Sequence, residues 1–271
     1  MKKIKDIKRP ELLKGLLWAG LSAVFVVSVG FTDSMSTSQP VSGLEISIID
    51  TTGHSFLTTS DVGDIVSSKF GDVIGKPLSS INMAVLEKYI LSNPFVSVVR
   101  VFSSIDGKLQ IEVVQRDPIL RVINFSNESF YIDGEGKYMP ASDNYTARVP
   151  VVNGYLFNRE AEHQVRTIRE EEEGTSPEVD RIGQVFEVAK FIRKDPFWRS
   201  QVEQLYVAVD GGIELVPRVG NHVVVLGDAT ALDEKFEKLY LFYTEGLSKT
   251  GWNKYKTINL EFEDQVVCTK R

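Results

Sequence analysis

The chain has 271 residues, of which 42% are hydrophobic and 25% charged, enough for one large or two smaller domains with buried cores. Its net charge of -6 argues against a nucleic-acid binder, because such proteins present a basic surface to the phosphates. The single cysteine, Cys268, excludes an internal disulfide, and the three histidines stand in no metal-ligand spacing.

A long apolar run follows a basic leader at the start of the sequence. Residues 1–11 form the leader, and residues 12–31 are predicted to be a transmembrane helix of roughly 30 Å, the thickness of a bilayer core. The run is longer than a signal peptide and lacks a small-x-small cleavage site, which favours an uncleaved anchor. The positive-inside rule places the N-terminus in the cytoplasm and the rest outside. Residues 32–43 are polar and indicate a tether.

The next stretch, residues 44–117, predicts the element order β-α-α-β-β. Thr58-x-x-Asp61 opens the first helix and Gly71 ends it, while Asn93-Pro94 ends a second helix over residues 80–92. Asp106-Gly107 then joins two strands as a hairpin. In the second strand, alternation places Leu109, Ile111 and Val113 on a buried face and Glu112 on the opposite one.

Residues 118–271 predict short strands, turns and two core-packed helices. A hairpin is expected over residues 129–140, and a strand over 148–154 whose Pro150 indicates an edge or an irregular start. Strands are further expected at residues 202–209, 213–216 and 222–226, then at 257–262 and 265–270 with a two-residue connection. The helical spacing of apolar residues predicts core positions at Ile182, Val185, Phe186, Ala189 and Ile192, and at Leu232, Phe236, Leu239, Tyr240 and Tyr243.

The acidic run and the isolated acids do not indicate catalysis. The segment Glu170–Gly174 lacks EF-hand spacing and is predicted to be a solvated loop or helix end. Nucleophile-elbow, P-loop, dinucleotide-binding and zinc-protease motifs are absent. Asp133, Asp210 and Asp228 stand beside glycines, where turn chemistry explains them. We therefore expect no enzyme, no cofactor, no metal and no small-molecule substrate.

Two groups of motifs resemble a known family. The helix ending in Asn93–Val96, the hairpin and the Gln115–Pro118 motif together resemble a POTRA domain. The motifs Phe130–Asp133, Val149–Gly154, Val223–Gly227 and Tyr255–Cys268 resemble the β-domain of the FtsQ/DivIB bacterial cell-division family. The resemblance implies an α+β fold with a single N-terminal transmembrane helix, a POTRA domain and a mixed or antiparallel β-domain with flanking helices. The short cytoplasmic leader and the Glu170–Gly174 segment depart from what we expect of the family.

The resemblance also implies a function. It implies a non-enzymatic scaffold of the division machinery that binds FtsB- and FtsL-like proteins and links early to late division proteins to control septal cell-wall synthesis. The chain would be a single-pass protein of the cytoplasmic (inner) membrane at the septum, with its C-terminal domains in the periplasm or its equivalent. The alternative is a POTRA-bearing envelope assembly or protein-translocation factor.

The resemblance points to the end of the sequence as the partner site. Because residues 265–270 form the last predicted strand, we expect no later segment to cover their outer edge, and a free edge can accept another strand. Alternatively, these residues only complete the sheet. The residues carried over by position are Phe262, Glu263, Asp264, Gln265, Val266, Val267 and Thr269.

Overall fold

The computed structural model of the protein describes residues 17–24, 39–49, 53, 55–125, 127–156 and 177–271. Residues 17–24 are helical and exposed, while the rest of the predicted membrane span, the leader, residues 32–38 of the predicted tether and the Glu170–Gly174 segment lie outside the described residues. Within the described ranges, no helix is both long and apolar enough to cross a membrane.

The chain divides into two compact units. Unit 1 comprises Met1–Ser47, Thr59–Ile90 and Val99–Glu112, and unit 2 comprises Ile48–Thr58, Leu91–Val98 and Val113–Arg271. From residue 43 onward, the elements in chain order begin with strand β1 (Gly43–Ile49), helix α1 (Thr59–Phe70), a 3-10 turn (Leu78–Ser80), helix α2 (Met83–Leu91), strand β2 (Val96–Ser103) and strand β3 (Lys108–Gln115). This confirms the predicted β-α-α-β-β order, and the three strands form a sheet in the order β1-β3-β2.

Local sequence signals set the limits of these elements. Gly71 ends α1 at a positive φ of 65°, which its missing Cβ permits, and its N–H bonds the Ser67 carbonyl at 2.8 Å. Asn82 caps α2, since its side-chain oxygen accepts the Val85 N–H at 3.1 Å. Gly107 turns the β2–β3 hairpin at a φ of 80°. The predicted helix end at Gly71 and the predicted turn at Gly107 are therefore confirmed, while the Asn82 cap was not predicted and α2 begins at Met83 rather than at residue 80.

The predicted face of β3 is buried. Leu109, Ile111 and Val113 are each 0% exposed, while Glu112 on the opposite face is half-buried. Within unit 1, the Glu87 side chain of α2 accepts the Val101 N–H of β2 at 2.8 Å, a direct bond between the helix and the sheet. On helix α2, Leu86 and Ile90 are buried, whereas Val85 and Tyr89 are exposed.

Unit 2 is built on a nine-stranded sheet. Its strand order is β12-β11-β10-β9-β8-β7-β4-β5-β6. The strands are β4 (Pro118–Ile123), β5 (Ser129–Asp133), β6 (Tyr138–Pro140), β7 (Val151–Gly154), β8 (Val202–Val207), β9 (Ile213–Pro217), β10 (Val223–Gly227), β11 (Tyr255–Asn259) and β12 (Val267–Lys270). The helices are α3 (Pro177–Lys194), α4 (Pro196–Gln201), α5 (Leu232–Leu241), which continues into a π-helical turn (Phe242–Leu247), and α6 (Ser248–Thr250).

The sheet contains both parallel and antiparallel neighbours, so the predicted mixed α+β class is confirmed. β7 lies parallel to both β4 and β8, and β10 lies parallel to β11. Parallel neighbours need a long crossover, and α3 stands between β7 and β8 in the chain as α5 does between β10 and β11. The predicted core stripe of α3 is confirmed: Ile182, Val185, Phe186, Ala189 and Ile192 are all buried in the core of unit 2.

The structure decides between the two alternatives given for Pro150 and corrects the closing strands. The strand containing Pro150 is not an edge: β7 begins at Val151 and lies between β4 and β8, so the proline marks an irregular start. The closing strands are also shorter and further apart than predicted, with residues 260–266 between them. Strand β11 stops at Asn259, whose side chain accepts the Glu261 N–H at 2.8 Å and turns the chain. Phe262, Gln265 and Val266 therefore lie in a loop, not in a strand.

Candidate partner-docking edge

Strand β12 forms one edge of the nine-stranded sheet. It pairs antiparallel with β11, with Asn259 opposite Val267, Ile258 opposite Cys268 and Thr257 opposite Thr269. In the part of the chain that the structure describes, no strand pairs with its other side. An edge of this kind leaves backbone N–H and C=O groups for a further strand.

Two hydrogen bonds show which backbone groups of β12 face outward. The Arg271 N–H donates to the Lys254 carbonyl at 3.3 Å, towards β11, and the Leu260 N–H donates to the Val225 carbonyl at 2.9 Å, towards β10. The direction of the backbone N–H groups alternates along a strand. In β11, the N–H groups of Thr257 and Asn259 therefore point towards β12. In β12, the N–H groups of Val267 and Thr269 point towards β11. It follows that the N–H groups of Cys268 and Lys270 face the free edge.

The side chains of β12 divide between the core and solvent. Val266, just before the strand, and Cys268 pack against the core of unit 2. Val267 is 42% exposed and Thr269 is exposed, so both are available to a partner. Burial raises the pKa of the Cys268 thiol, in keeping with its packing against the core.

The loop between β11 and β12 is held by Lys238 of helix α5. Its ammonium group donates to the carbonyls of Phe262 at 2.6 Å and Glu263 at 2.7 Å. The Phe262 ring remains 46% exposed, and Glu263, Asp264 and Gln265 are exposed beside it. The loop therefore presents an aromatic ring and two carboxylates next to the free edge. The sequence contained no local signal for this clamp, because the lysine lies more than twenty positions away.

Helix α5 adds apolar surface that the sequence did not predict. Tyr240 was expected on the buried stripe but is 45% exposed, and its ring meets the Phe197 ring edge-on at 5.1 Å between centroids. Leu241 is 53% exposed. The helix passes into the π-helical turn at Phe242, and Tyr243, one turn after the buried Leu239, is 3% exposed.

The end of β12 is anchored near a buried histidine. The Arg271 guanidinium donates to the Asn221 carbonyl, and His222 follows in the chain at 2% exposure. The His222 Nε2 atom lies 2.9 Å from the Tyr243 hydroxyl. Burial, with the positive charge of Arg271 as a smaller cause, lowers the pKa of His222, while burial raises the pKa of Tyr243. This pair is a structural hydrogen bond within the core.

The isolated acids have the turn roles predicted for them. Asp133 accepts the N–H groups of Glu135 and Lys137 at 2.9 Å, and Asp210 accepts that of Gly212 at 3.0 Å. Hydrogen bonds from Lys235 and Thr230 lower the pKa of Asp228 to about 2. Among the described residues, no group of three or more His, Cys, Asp or Glu side chains is placed to hold a metal.

Comparison with known proteins agrees with this architecture. A family model described as "FtsQ/DivIB, C-terminal related" matches residues 117–269. A second, described as "POTRA-like domain", matches residues 39–114. A search of the curated proteins finds no match.

Proposed function

The chain belongs to the FtsQ/DivIB family, and we propose from this premise that it is a non-enzymatic scaffold of the bacterial division machinery. Its role is to hold other proteins by surface contact rather than to transform a substrate. Asp133, Asp210 and Asp228, the acids that stand beside glycines, are committed to turns, and Asp133 and Asp228 also to ion pairs. Through its partners, the scaffold links early to late division proteins and helps to control septal cell-wall synthesis.

The proposed topology is that of a single-span membrane protein at the division site. Residues 1–11 lie in the cytoplasm, residues 12–31 cross the cytoplasmic membrane, and residues 32–43 form a tether. The POTRA-like region (44–117) and the β-domain (118–271) then lie outside the cytoplasm. The uncharged run after a basic leader supports this arrangement.

The proposed partner site is the β12 edge with the loop before it. An FtsB-type protein adds a strand along β12 and meets Val267, Thr269 and the exposed ring of Phe262, and an FtsL-type protein is held with it. Glu263, Asp264, Gln265 and Val266 lie in the adjoining loop. The single observation that supports this most is the free edge itself, on which the N–H groups of Cys268 and Lys270 point away from the sheet. Backbone bonds to such groups supply affinity, and the alternating side chains supply specificity.

The direction of the N–H groups selects the decisive substitution. Cys268→Pro removes an outward donor that has no partner within the sheet, so the fold is expected to tolerate it. Cys268→Ala is the control for loss of the thiol. We expect Cys268→Pro, in the full chain, to reduce capture of co-expressed FtsB- and FtsL-type proteins by at least about tenfold, while Cys268→Ala stays near wild type. Wild-type capture by a folded Cys268→Pro variant would place the docking site elsewhere.

Val267→Pro serves as a second comparison. Its N–H faces β11, so proline there breaks the ladder between the last two strands. This variant is expected to lower stability as well as partner capture. Comparison of the two proline variants thus distinguishes the loss of a donor at the free edge from disruption of the ladder between β11 and β12.

A further inference from the structure

Four arginines surround a pocket in unit 2 that lies away from the β12 edge. The pocket has a volume of about 260 Å³, and its arginines are Arg148, Arg193, Arg199 and Arg218 above an apolar floor that includes Ile119 and Ile192. We call it the arginine pocket. It forms where β7 begins, beside the C-terminal half of α3 and the start of β8.

The positive charge of this pocket is largely uncompensated. Arg193 pairs with Asp117, but among the described residues no acidic side chain pairs with Arg148, Arg199 or Arg218. Glu203 is the one acid in the pocket lining. The whole chain has a net charge of -6, so four guanidinium groups around one cavity make this pocket a positively charged site on a negatively charged protein.

The three unpaired arginines have no visible structural role. Their side chains are exposed and make no hydrogen bond within the described part of the chain. The floor beneath them is core, since Ile119 is 4% and Ile192 1% exposed. Unpaired cations at the rim of an apolar floor match a ligand that carries both a negative charge and an aliphatic group.

The chemistry favours a carboxylate over a phosphate. A planar guanidinium fork pairs with a carboxylate through two parallel hydrogen bonds. Glu203 and the C-terminal end of α3, whose carbonyls carry partial negative charge, repel a phosphate dianion more strongly than a carboxylate with a single charge. We propose that the arginine pocket binds an acidic segment of a partner protein, with its carboxylates on the arginines and a neighbouring aliphatic side chain on the floor.

This surface is distinct from the proposed docking edge. Strand β7 is separated from β12 by the four strands β8 to β11, which corresponds to about 24 Å at the usual strand spacing. A strand added at β12 and a segment bound in the arginine pocket can therefore be held at the same time. The inference does not depend on the proposed division role.

The probe for this test is an end-blocked, dye-labelled peptide that repeats Leu-Glu three times, with a Leu-Gln repeat as its neutral counterpart. Titrated against the full chain at low salt, the acidic peptide is expected to bind and the neutral one to bind at least about tenfold more weakly. The combined Arg148→Gln, Arg199→Gln and Arg218→Gln variant is expected to lose at least tenfold in affinity. Replacing the same three residues by lysine keeps the charge but removes the fork, and an intermediate loss is expected.

Arg100→Gln is the matched control, because Arg100 is an exposed arginine of strand β2 outside the pocket. Equal loss of peptide binding in this control and in the triple variant would overturn the proposal, as would equal binding of the two peptides. Inorganic phosphate and vesicles containing phosphatidylglycerol are the competing probes. If either binds through the same three arginines more tightly than the acidic peptide, the assignment to a protein carboxylate is wrong. Unchanged thermal unfolding of the triple variant is expected, since its arginines make no contacts that the fold needs.

Discussion

Arg116 and Asp133 form a buried ion pair in unit 2, with their charged atoms 2.7 Å apart and side-chain exposures of 3% and 5%. The sequence indicated a motif at Gln115–Pro118 but not the partner of its arginine, because Asp133 is seventeen positions away. Asp133 also accepts two N–H groups of the β5–β6 turn, so one carboxylate serves both the turn and the arginine. Removal of one charge leaves the other buried without a partner.

We expect Asp133→Ala to lower the free energy of unfolding by about 3–5 kcal/mol, because Arg116 then remains charged in the core. Glu135→Ala is the control: its pair with Lys137 is largely exposed and contributes at most about 1 kcal/mol. Urea unfolding of the full chain, followed by the fluorescence of tryptophans in unit 2, measures both. Similar small losses in the two variants would contradict the assigned role of the buried pair.

His222 predicts a pH dependence of stability. Its pKa in the folded protein lies below the ordinary value of 6.5, because burial disfavours the imidazolium. The unfolded chain therefore binds the proton more readily, so the stabilising contribution is fully present above about pH 6.5 and is lost as the pH falls below it. We expect the midpoint of urea unfolding to shift to lower urea concentration as the pH is lowered from 7.5 to 5.5. The His222→Gln variant is expected to show a smaller shift. An equally steep fall in that variant would assign the effect to other groups.

At the scale of elements, the hairpin and the long helices could be predicted because their signals are local. Strand β4 was not identified as an element, because four of its six residues are buried (Pro118, Ile119, Leu120 and Val122) and apolar and polar residues do not alternate along it. Helix α4 has six residues, too few to show a repeating pattern of apolar residues at helical spacing. Asp195 before Pro196 is nevertheless a capping signal. The sequence predicted strand residues where the loop before β12 lies. The loop is held at its carbonyls by Lys238, which belongs to a helix distant in sequence.

Strand β3 provides a test of register. Ile111→Asp places a carboxylate where the native side chain is 0% exposed, at a cost of several kcal/mol in order of magnitude. Glu112→Lys, one position later on the opposite face, is expected to change stability by less than about 0.5 kcal/mol. Hydrogen exchange of the full chain reports both variants in the β2–β3 hairpin. Comparable loss of protection in the two would mean that the assigned faces of the strand are wrong.

At the scale of the whole molecule, the proposal to be tested is the membrane topology of this member of the FtsQ/DivIB family. A reporter enzyme that is active only outside the cytoplasm, fused after Arg271, is expected to be active in cells. The same reporter fused within residues 1–11, ahead of the proposed span, is expected to be inactive. Recovery of a mature protein that begins near Ser34 would show that the apolar run is cleaved and not an anchor.

The most direct test of the account is residue-resolved hydrogen exchange of β12 with and without the co-purified FtsB- and FtsL-type proteins. In the free chain, the amides of Cys268 and Lys270 face the open edge and are expected to exchange quickly, while those of Val267 and Thr269 are already bonded to β11. Binding of the partners is expected to protect the Cys268 and Lys270 amides from exchange. A stable complex in which these two amides exchange as fast as in the free chain would contradict strand addition at β12.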